Sequence, residues 1–484
     1  MREYQMYIGG EWVDSLSGEW YEDMNPYTGE PFARVPSGSR ADTAQAVSAA
    51  QAAFPEWSAT LPGERQALFL KAADILEDKQ NELVNLIAEE TGGTFGWGMF
   101  QSAFTPGLLR EAAGQVHHVK GEIIPADLPG AFYMALRQPV GVVAGIAPWN
   151  APVILSLRSI CLPIAYGNTA VLKPSTESAV VGGILLAEVF HEAGFPEGVL
   201  NVVTNGPGQS GEMGDELIEN PAVRRLSFTG SSQVGRTLAE KAGRHLKRVA
   251  LELGGHNPLL ILKDADIDYA VDVATFGAFL HQGQICMSVR RIIAEEEVVQ
   301  EFTEKFAAKV STLKVGDPKE MDTVIGPLIN QGQLNKVKRN VDEAVQAGAT
   351  ALTGGKAEGL CYHPTVITGA AQDSRLCCEE TFGPVVTIQS VSGVDQAIQE
   401  ANNTPYGLAA GVVTPDFELG LSVAEKIESG IVHINDSSVG DEPQVPFGGM
   451  KDSGWGRMGG TAALEEFTEL RWITMQRTPR EFPF

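Results

Sequence analysis

The chain has 484 residues, 43% of them hydrophobic, and a formal net charge of −25. Such a length buries large cores and suggests roughly two to four domains, while the acidic balance argues against nucleic acid or an anionic membrane surface as partner. Five cysteines, Cys161, Cys286, Cys361, Cys377 and Cys378, lack the spacing of a disulfide framework or a zinc site, so reduced thiols, a cytoplasmic setting, a small-molecule partner and no metal are expected.

The N-terminal "MREYQMYIGGEWVDS" lacks the apolar core of a signal peptide. Helical patterns follow, among them "TFGWGMF" with Trp97 and Phe100, and "GAFYMALRQPV" at 130–140 then alternates like a strand with no obvious partner nearby. "GVVAGIAPWNAPVILSL" at 141–157 is too short to span a membrane and reads as a buried strand, a loop and the start of a helix. Strand-like segments at 142–147, 169–173, 198–203, 224–228 and 248–253 alternate with helical patterns such as "ESAVVGGILLAEVFHEAG". That rhythm predicts βαβ units and a parallel sheet. Ligands of such sheets gather outside the carboxyl ends of the strands, where Asn150, Lys173, Gly206, Gly230 and Glu252 fall.

Two glycine turns compete for a phosphate. "GPGQSG", from Gly206 to Gly211, has the GxGxxG spacing, but the next strand ends in "SFTGSSQVG" rather than the acidic residue of an ordinary dinucleotide fold. There Gly230 ends a strand, Ser231 and Ser232 can cap a helix, and Gly235 permits close approach, which makes an anion site at a helix N-terminus. A second α/β rhythm from 255 to about 434 has helical patterns near 264–280, 297–313 and 393–403 and strands near 289–294, 384–390 and 409–413. It predicts a separate catalytic lobe. The C-terminal "LRWITMQ" at 470–476 repeats the unpartnered strand pattern of 130–140. Because exposed edges tend to be covered, the two are expected to combine as an extension pairing across subunits.

Two residues carry candidate chemistry. Cys286, in "FLHQGQICMS", has the thiol an acyl-transfer reaction needs as nucleophile and later leaving group, although most free cysteines are core residues. Glu252, in "LELGG", sits among apolar neighbours that raise a carboxyl pKa toward that of a useful base.

Seven strings spread over almost the whole chain, "PWNAP" (148–152), "KPS" (173–175), "FTGS" (228–231), "LELGG" (251–255), "GQIC" (283–286), "EETFGPV" (379–385) and "PFGGMKDSGWGR" (446–457), together resemble the aldehyde dehydrogenase superfamily. The resemblance implies an α/β fold with a Rossmann-like cofactor domain (1–118 and 140–252), an α/β catalytic domain (253–450), and a small β oligomerisation extension with the C-terminal segment (119–139 and 451–484). It implies assembly as a homodimer or homotetramer. It also implies that Cys286 forms a thiohemiacetal, that hydride passes to a nicotinamide, and that Glu252 activates the water that hydrolyses the thioester. The Asn150 side-chain amide and the Cys286 backbone N–H would hold the oxyanion, worth about 3 kcal/mol per donor.

For the cofactor, NAD with NADP possible, the same resemblance implies Trp149 near the phosphates, Lys173 and Thr176 at the adenosine ribose, and Gly206, Gly230, Ser231, Gly235 and Leu253 along the dinucleotide. Glu380 and Phe382 would reach the nicotinamide ribose. The family frequently has a glutamate where this chain has Thr176, with Glu177 next along, and a lysine where it has His256. The first change removes a charge that repels a 2′-phosphate; the second has no functional reading from sequence. A coenzyme A-acylating relative and an inactive binding protein on the same fold are the other classes, both disfavoured by Cys286, Asn150 and Glu252 occurring together.

Ala151 stands where many relatives carry a bulky aromatic, leaving room for a ring. Ile154 and Arg158 share a helix face, and Trp97 and Phe100 add apolar walls. Together they suggest an aromatic aldehyde with a polar substituent, and "ELRWIT" and "DEPQVPFGG" resemble the salicylaldehyde, vanillin and benzaldehyde dehydrogenase branch. The competing substrates are a semialdehyde whose acid pairs with Arg158 and an aliphatic aldehyde; Arg158 in a structural ion pair is the further alternative.

Overall fold

The computed structural model describes all 484 residues. Five parallel strands, Val142–Ile146, Thr169–Lys173, Leu200–Val202, Val223–Thr229 and Arg248–Glu252, form the centre of the first sheet. They are buried almost throughout, which is why they read as apolar runs rather than alternating ones. Val142–Ile146 lies between Thr169–Lys173 and Val223–Thr229. The connections therefore leave it in opposite directions, and its carboxyl end opens the crevice where ligands of such sheets bind. The hairpin Met6–Ile8 and Glu11–Val13 covers one edge, and Gly454–Trp455 pairs antiparallel with Arg248–Glu252 at the other.

The second sheet contains six parallel strands in the order Thr365–Thr368, Val385–Val391, Val289–Glu295, Asn257–Ile261, Ala409–Val413 and Ile431–Ile434. Phe279, Phe302 and Phe306 fill one of its faces together with Leu259, Ile261 and Ile292. The third sheet pairs the two strands that have no local partner in the sequence. Thr468–Gln476 runs antiparallel to Ala131–Pro139 from Thr468↔Pro139 to Gln476↔Ala131, with Gly121–Ile124 alongside. They meet within one chain, leaving Ile123, Leu470 and Trp472 exposed. No helix is long and apolar enough to cross a membrane.

Only four residues, 253–256, separate the first two sheets at this crossing: Glu252 ends a strand of one and Asn257 begins a strand of the other. The buried Asn257 amide donates to Cys286 O (2.8 Å) and Ser288 O (2.9 Å), and its oxygen accepts from Ala409 N–H (3.1 Å). A Cβ on Gly255 would lie 2.4 Å from Cys286 O, so only glycine lets the link pass this close to the cysteine.

Candidate active site

The loop carrying Cys286 is bent into place by three consecutive left-handed residues, His281 (φ 48°), Gln282 (φ 55°) and Gly283 (φ 66°). Two of them carry side chains, a conformation that persists only where surrounding contacts hold it. Gln282 Nε2 donates to Gly92 O (2.9 Å) and Pro327 O (3.0 Å), Arg290 donates to Gly383 O (2.7 Å) and to Gly283 O, and Ser438 Oγ donates to Met287 O (2.6 Å). The Cys286 thiol is buried, and its pKa is pushed well above the ordinary value, first by burial and then by the charges of Glu252, Glu380 and Asp441. The resting sulfur is therefore a neutral thiol.

Glu252 faces it from the end of the first sheet. Both carboxyl oxygens are buried without a hydrogen-bond partner. Burial, with Glu380 adding to it and Arg158 opposing, raises the pKa to about 8. The neighbouring thiol offsets only part of that rise. A carboxyl in this state holds a proton at neutral pH and can exchange it with a nearby thiol or water.

Asn150 completes the group. Its backbone oxygen accepts from Trp97 Nε1 (3.0 Å), and Trp97 is stacked between Phe100 (5.4 Å) and His281 (5.0 Å), with Phe104 beyond Phe100 (5.6 Å). This column of rings links the helix Phe95–Gln115 to both Asn150 and the cysteine loop.

A cavity of about 200 Å³ is lined by Cys286, Glu252, Asn150, Trp149, Gly230, Ser231, Glu380 and Phe382, joined by Gln333 and Lys336. The last two escape sequence reading because they sit on the amphipathic helix Gln331–Gln346, where polar residues read as solvated. Gln333 Nε2 donates to Thr381 O (2.9 Å) and Phe382 O (2.6 Å), which holds Phe382 at its left-handed φ of 55° against Trp149 (5.6 Å, 88°). Glu380 accepts from Gly255 N–H (3.0 Å), and burial raises its pKa.

The adjoining cleft, about 980 Å³, shares Trp149, Gly230 and Ser231 with the smaller cavity and continues past Lys173 and Thr176. Ser231 caps the helix Ser232–Arg244, leaving further N–H groups of that first turn for an anion. Lys173 is buried, its ammonium donates only to Pro174 O (3.2 Å), and burial lowers its pKa to about 8, with Glu177 opposing. A buried cation so poorly partnered is suited to ligand hydroxyls, and the cleft as a whole fits a dinucleotide.

Several of the expected site residues lie outside the two cavities. Gly206, Gly235 and Leu253 line neither cavity. The Gly206 N–H donates to Ser37 Oγ (3.1 Å), and a Cβ on Gly235 would come within 2.4 Å of the Leu253 side chain, so these residues serve backbone and helix packing. Arg158 is not a free cation. It is buried, with Nη2 on Asp441 Oδ2 (2.6 Å), Nη1 donating to Met458 O (2.7 Å) and its plane over the Phe447 ring (4.6 Å). Ala151 and Ile154 are buried at the start of the same helix, and Phe100 is 38% exposed; none of these, nor Trp97 or Arg158, lines either cavity.

His256, unexplained by sequence, is buried, and burial together with Arg291 lowers its pKa to about 3, so the ring is neutral. Its Nε2 lies 3.0 Å from Leu376 O, and its backbone oxygen accepts from Arg291 Nε (3.3 Å). It ties the inter-sheet link to the segment leading to Glu380.

The aldehyde dehydrogenase family model matches residues 12–473. The chain belongs to the aldehyde dehydrogenase family. It is 46% identical to a vanillin dehydrogenase of Pseudomonas fluorescens over the full length of both, and 40% identical to a benzaldehyde dehydrogenase of Bacillus subtilis (strain 168) over 99% of this chain and 98% of the other. The crystal structure of a salicylaldehyde dehydrogenase from Pseudomonas putida G7, complexed with salicylaldehyde, superposes over the whole of both chains with a TM-score of 0.98 at 39% identity. The protein is an NAD(P)-dependent aldehyde dehydrogenase that works through a catalytic cysteine and a thioester, in the branch of these aromatic aldehyde dehydrogenases.

The aldehyde dehydrogenase geometry fixes a pH dependence. A base role for Glu252 requires it to lose its proton, so turnover through it should rise with pH and level off above about 8. Glu252→Gln should remove that limb and slow thioester hydrolysis at least about 100-fold. An unaltered limb in the variant's steady-state pH profile would show that another group titrates.

Proposed function

We propose that this enzyme oxidises aromatic aldehydes bearing a polar ring substituent to their acids, with NAD preferred and NADP accepted. The observation that carries the substrate class is the Arg158–Asp441 pair. Its guanidinium is already paired, so it offers no free cation to the acid of a semialdehyde. The similarity to vanillin and benzaldehyde dehydrogenases supports the same class.

In this reading Glu252 takes the thiol proton as the Cys286 sulfur bonds to the aldehyde carbon, and the Asn150 amide with the Cys286 N–H bears the oxyanion. A dinucleotide held by Trp149, Ser231, Glu380 and Phe382 would supply the hydride acceptor, and the acyl group would stay on Cys286 as a thioester. Glu252 then releases the thiol proton to solvent, and water attacks the acyl carbon, giving a proton to Glu252, which returns it to the departing Cys286 sulfur. Trp149, Gly230 and Ser231 hold the pyrophosphate, Glu380 and Phe382 the nicotinamide ribose, and Lys173 and Thr176 the adenosine ribose. The three-stranded extension, with its exposed Trp472 and Ile123, serves assembly into a homodimer or homotetramer.

NADP acceptance follows from the ribose end. Thr176 Oγ1 accepts from Asn205 Nδ2 (2.8 Å), and the carboxylate next along, Glu177, is held by Ser175 Oγ (2.7 Å) and Asn330 Nδ2 (3.4 Å).

Two measurements test these assignments. Benzaldehyde-type substrates should show kcat/KM at least about tenfold above succinic semialdehyde or short aliphatic aldehydes, a difference of about 1.4 kcal/mol; a preference for the semialdehyde would contradict the aromatic reading. Thr176→Glu should lower kcat/KM for NADP about tenfold more than for NAD. An equal effect on both cofactors, or a wild-type preference for NADP, would contradict the cofactor reading.

A further inference from the structure

Part of the large cleft lies beyond the residues assigned so far to the cofactor. The helix Ser210–Glu219 lines it with Gly211 and Gly214, and the helix Ser232–Arg244 lines it with Val234 and Leu238. A Cβ on either glycine would meet nothing within 4 Å, so one wall is bare backbone, while the other helix offers the apolar Val234, 52% exposed. Such a slot suits a flat ring. Asp215, four residues after Gly211, and Lys241, three after Leu238, continue the same two helix faces and line the cleft as well. They meet there, with Lys241 Nζ 2.5 Å from Asp215 Oδ1.

The span along the second helix fits a dinucleotide. Ser231, at its amino end, borders both the cavity of Cys286 and the cleft, and Lys241 lies ten residues on, about 15 Å. Long helical side chains lean back toward the amino end, which brings the ammonium nearer. That separation is comparable with the reach from a pyrophosphate to the outer edge of its purine. The pair is also chemically suited to that edge. Lys241 occupies Oδ1, no protein group donates to Oδ2, and the ammonium keeps two further protons. One free acceptor beside one free donor matches adenine, with an amino group at C6 next to an unprotonated N1. Hypoxanthine has a carbonyl and an N–H at the same places, which reverses both.

We infer that Asp215 and Lys241 read the base of the dinucleotide, Asp215 Oδ2 accepting from the adenine amino group and Lys241 Nζ donating to N1. The inference rests on the cofactor placement proposed above and extends it from the phosphates and riboses to the base. Both side chains are partly exposed, so their ion pair adds little to stability and tolerates substitution.

The test compares NAD with nicotinamide hypoxanthine dinucleotide at a fixed concentration of benzaldehyde. In the wild type kcat/KM should be about tenfold lower for the hypoxanthine cofactor. In Asp215→Asn the amide oxygen stays with Lys241 and an N–H faces the base, so the preference should vanish or invert. Lys241→Met keeps the length of the side chain without its donor and should weaken the preference too. A pair with a structural role alone would change both cofactors equally. Equal use of the two by the wild type, or a preference that survives both substitutions, overturns the role of the pair. Failure of the cofactor placement is separately visible: Val234→Trp fills the slot and should raise the KM for NAD about tenfold, whereas an unchanged KM puts the base elsewhere.

Discussion

The four residues between Glu252 and Asn257 govern the rest of the site. They end the first sheet and begin the second, and the Asn257 amide fastens that junction to the backbone carbonyls of Cys286 and Ser288. A base from one lobe and a nucleophile from the other thus face each other across a span too short to drift. The Gly255 N–H, which also lies in the link, holds Glu380, and His256 holds the segment before it. One connection therefore orients the base, the nucleophile and the carboxylate assigned to the nicotinamide ribose, so small displacements there would be felt by all three.

The electrostatics follow from that confinement. Glu252, Glu380 and Asp441 surround a buried thiol, and Arg158 opposes them from within the fold. Burial and like charges raise the pKa of both Glu252 and Cys286, so these two keep their protons at neutral pH and the resting nucleophile is quiet. Reactivity then depends on a ligand that rearranges this balance. The cost is borne by the structure as unpartnered carboxyl oxygens on Glu252 and Asp441 and strained backbone at His281, Gln282 and Phe382.

The parallel sheet, the second α/β lobe and the placement of Asn150, Lys173, Gly230 and Glu252 at strand ends were legible because buried parallel strands write apolar runs and their carboxyl ends are the positions that chemistry uses. The strand pattern at 470–476 gave away a strand but not its partner, which lies more than 300 residues earlier at Ala131–Pro139. GxGxxG spacing at Gly206 does not by itself identify a phosphate turn, because a glycine serving a close backbone approach has the same signature as one serving a phosphate. Arg158 misled for a different reason. Its partner Asp441 is remote in sequence, and nothing in a helix pattern reveals whether a buried cation is already paired. Gln333, Lys336 and the His281–Trp97 stack were invisible for the same cause: their roles exist only once distant elements meet.

The account stands on an acyl group carried by Cys286 and released by Glu252. Incubating Glu252→Gln with NAD and benzaldehyde, then digesting and weighing the peptides, tests that claim directly. It predicts about one acyl group per chain, confined to the peptide containing Cys286, with NADH formed in equal amount. NADH formed by steady turnover with no acyl group on that peptide, or acylation at Cys377 or Cys378 instead, would contradict it.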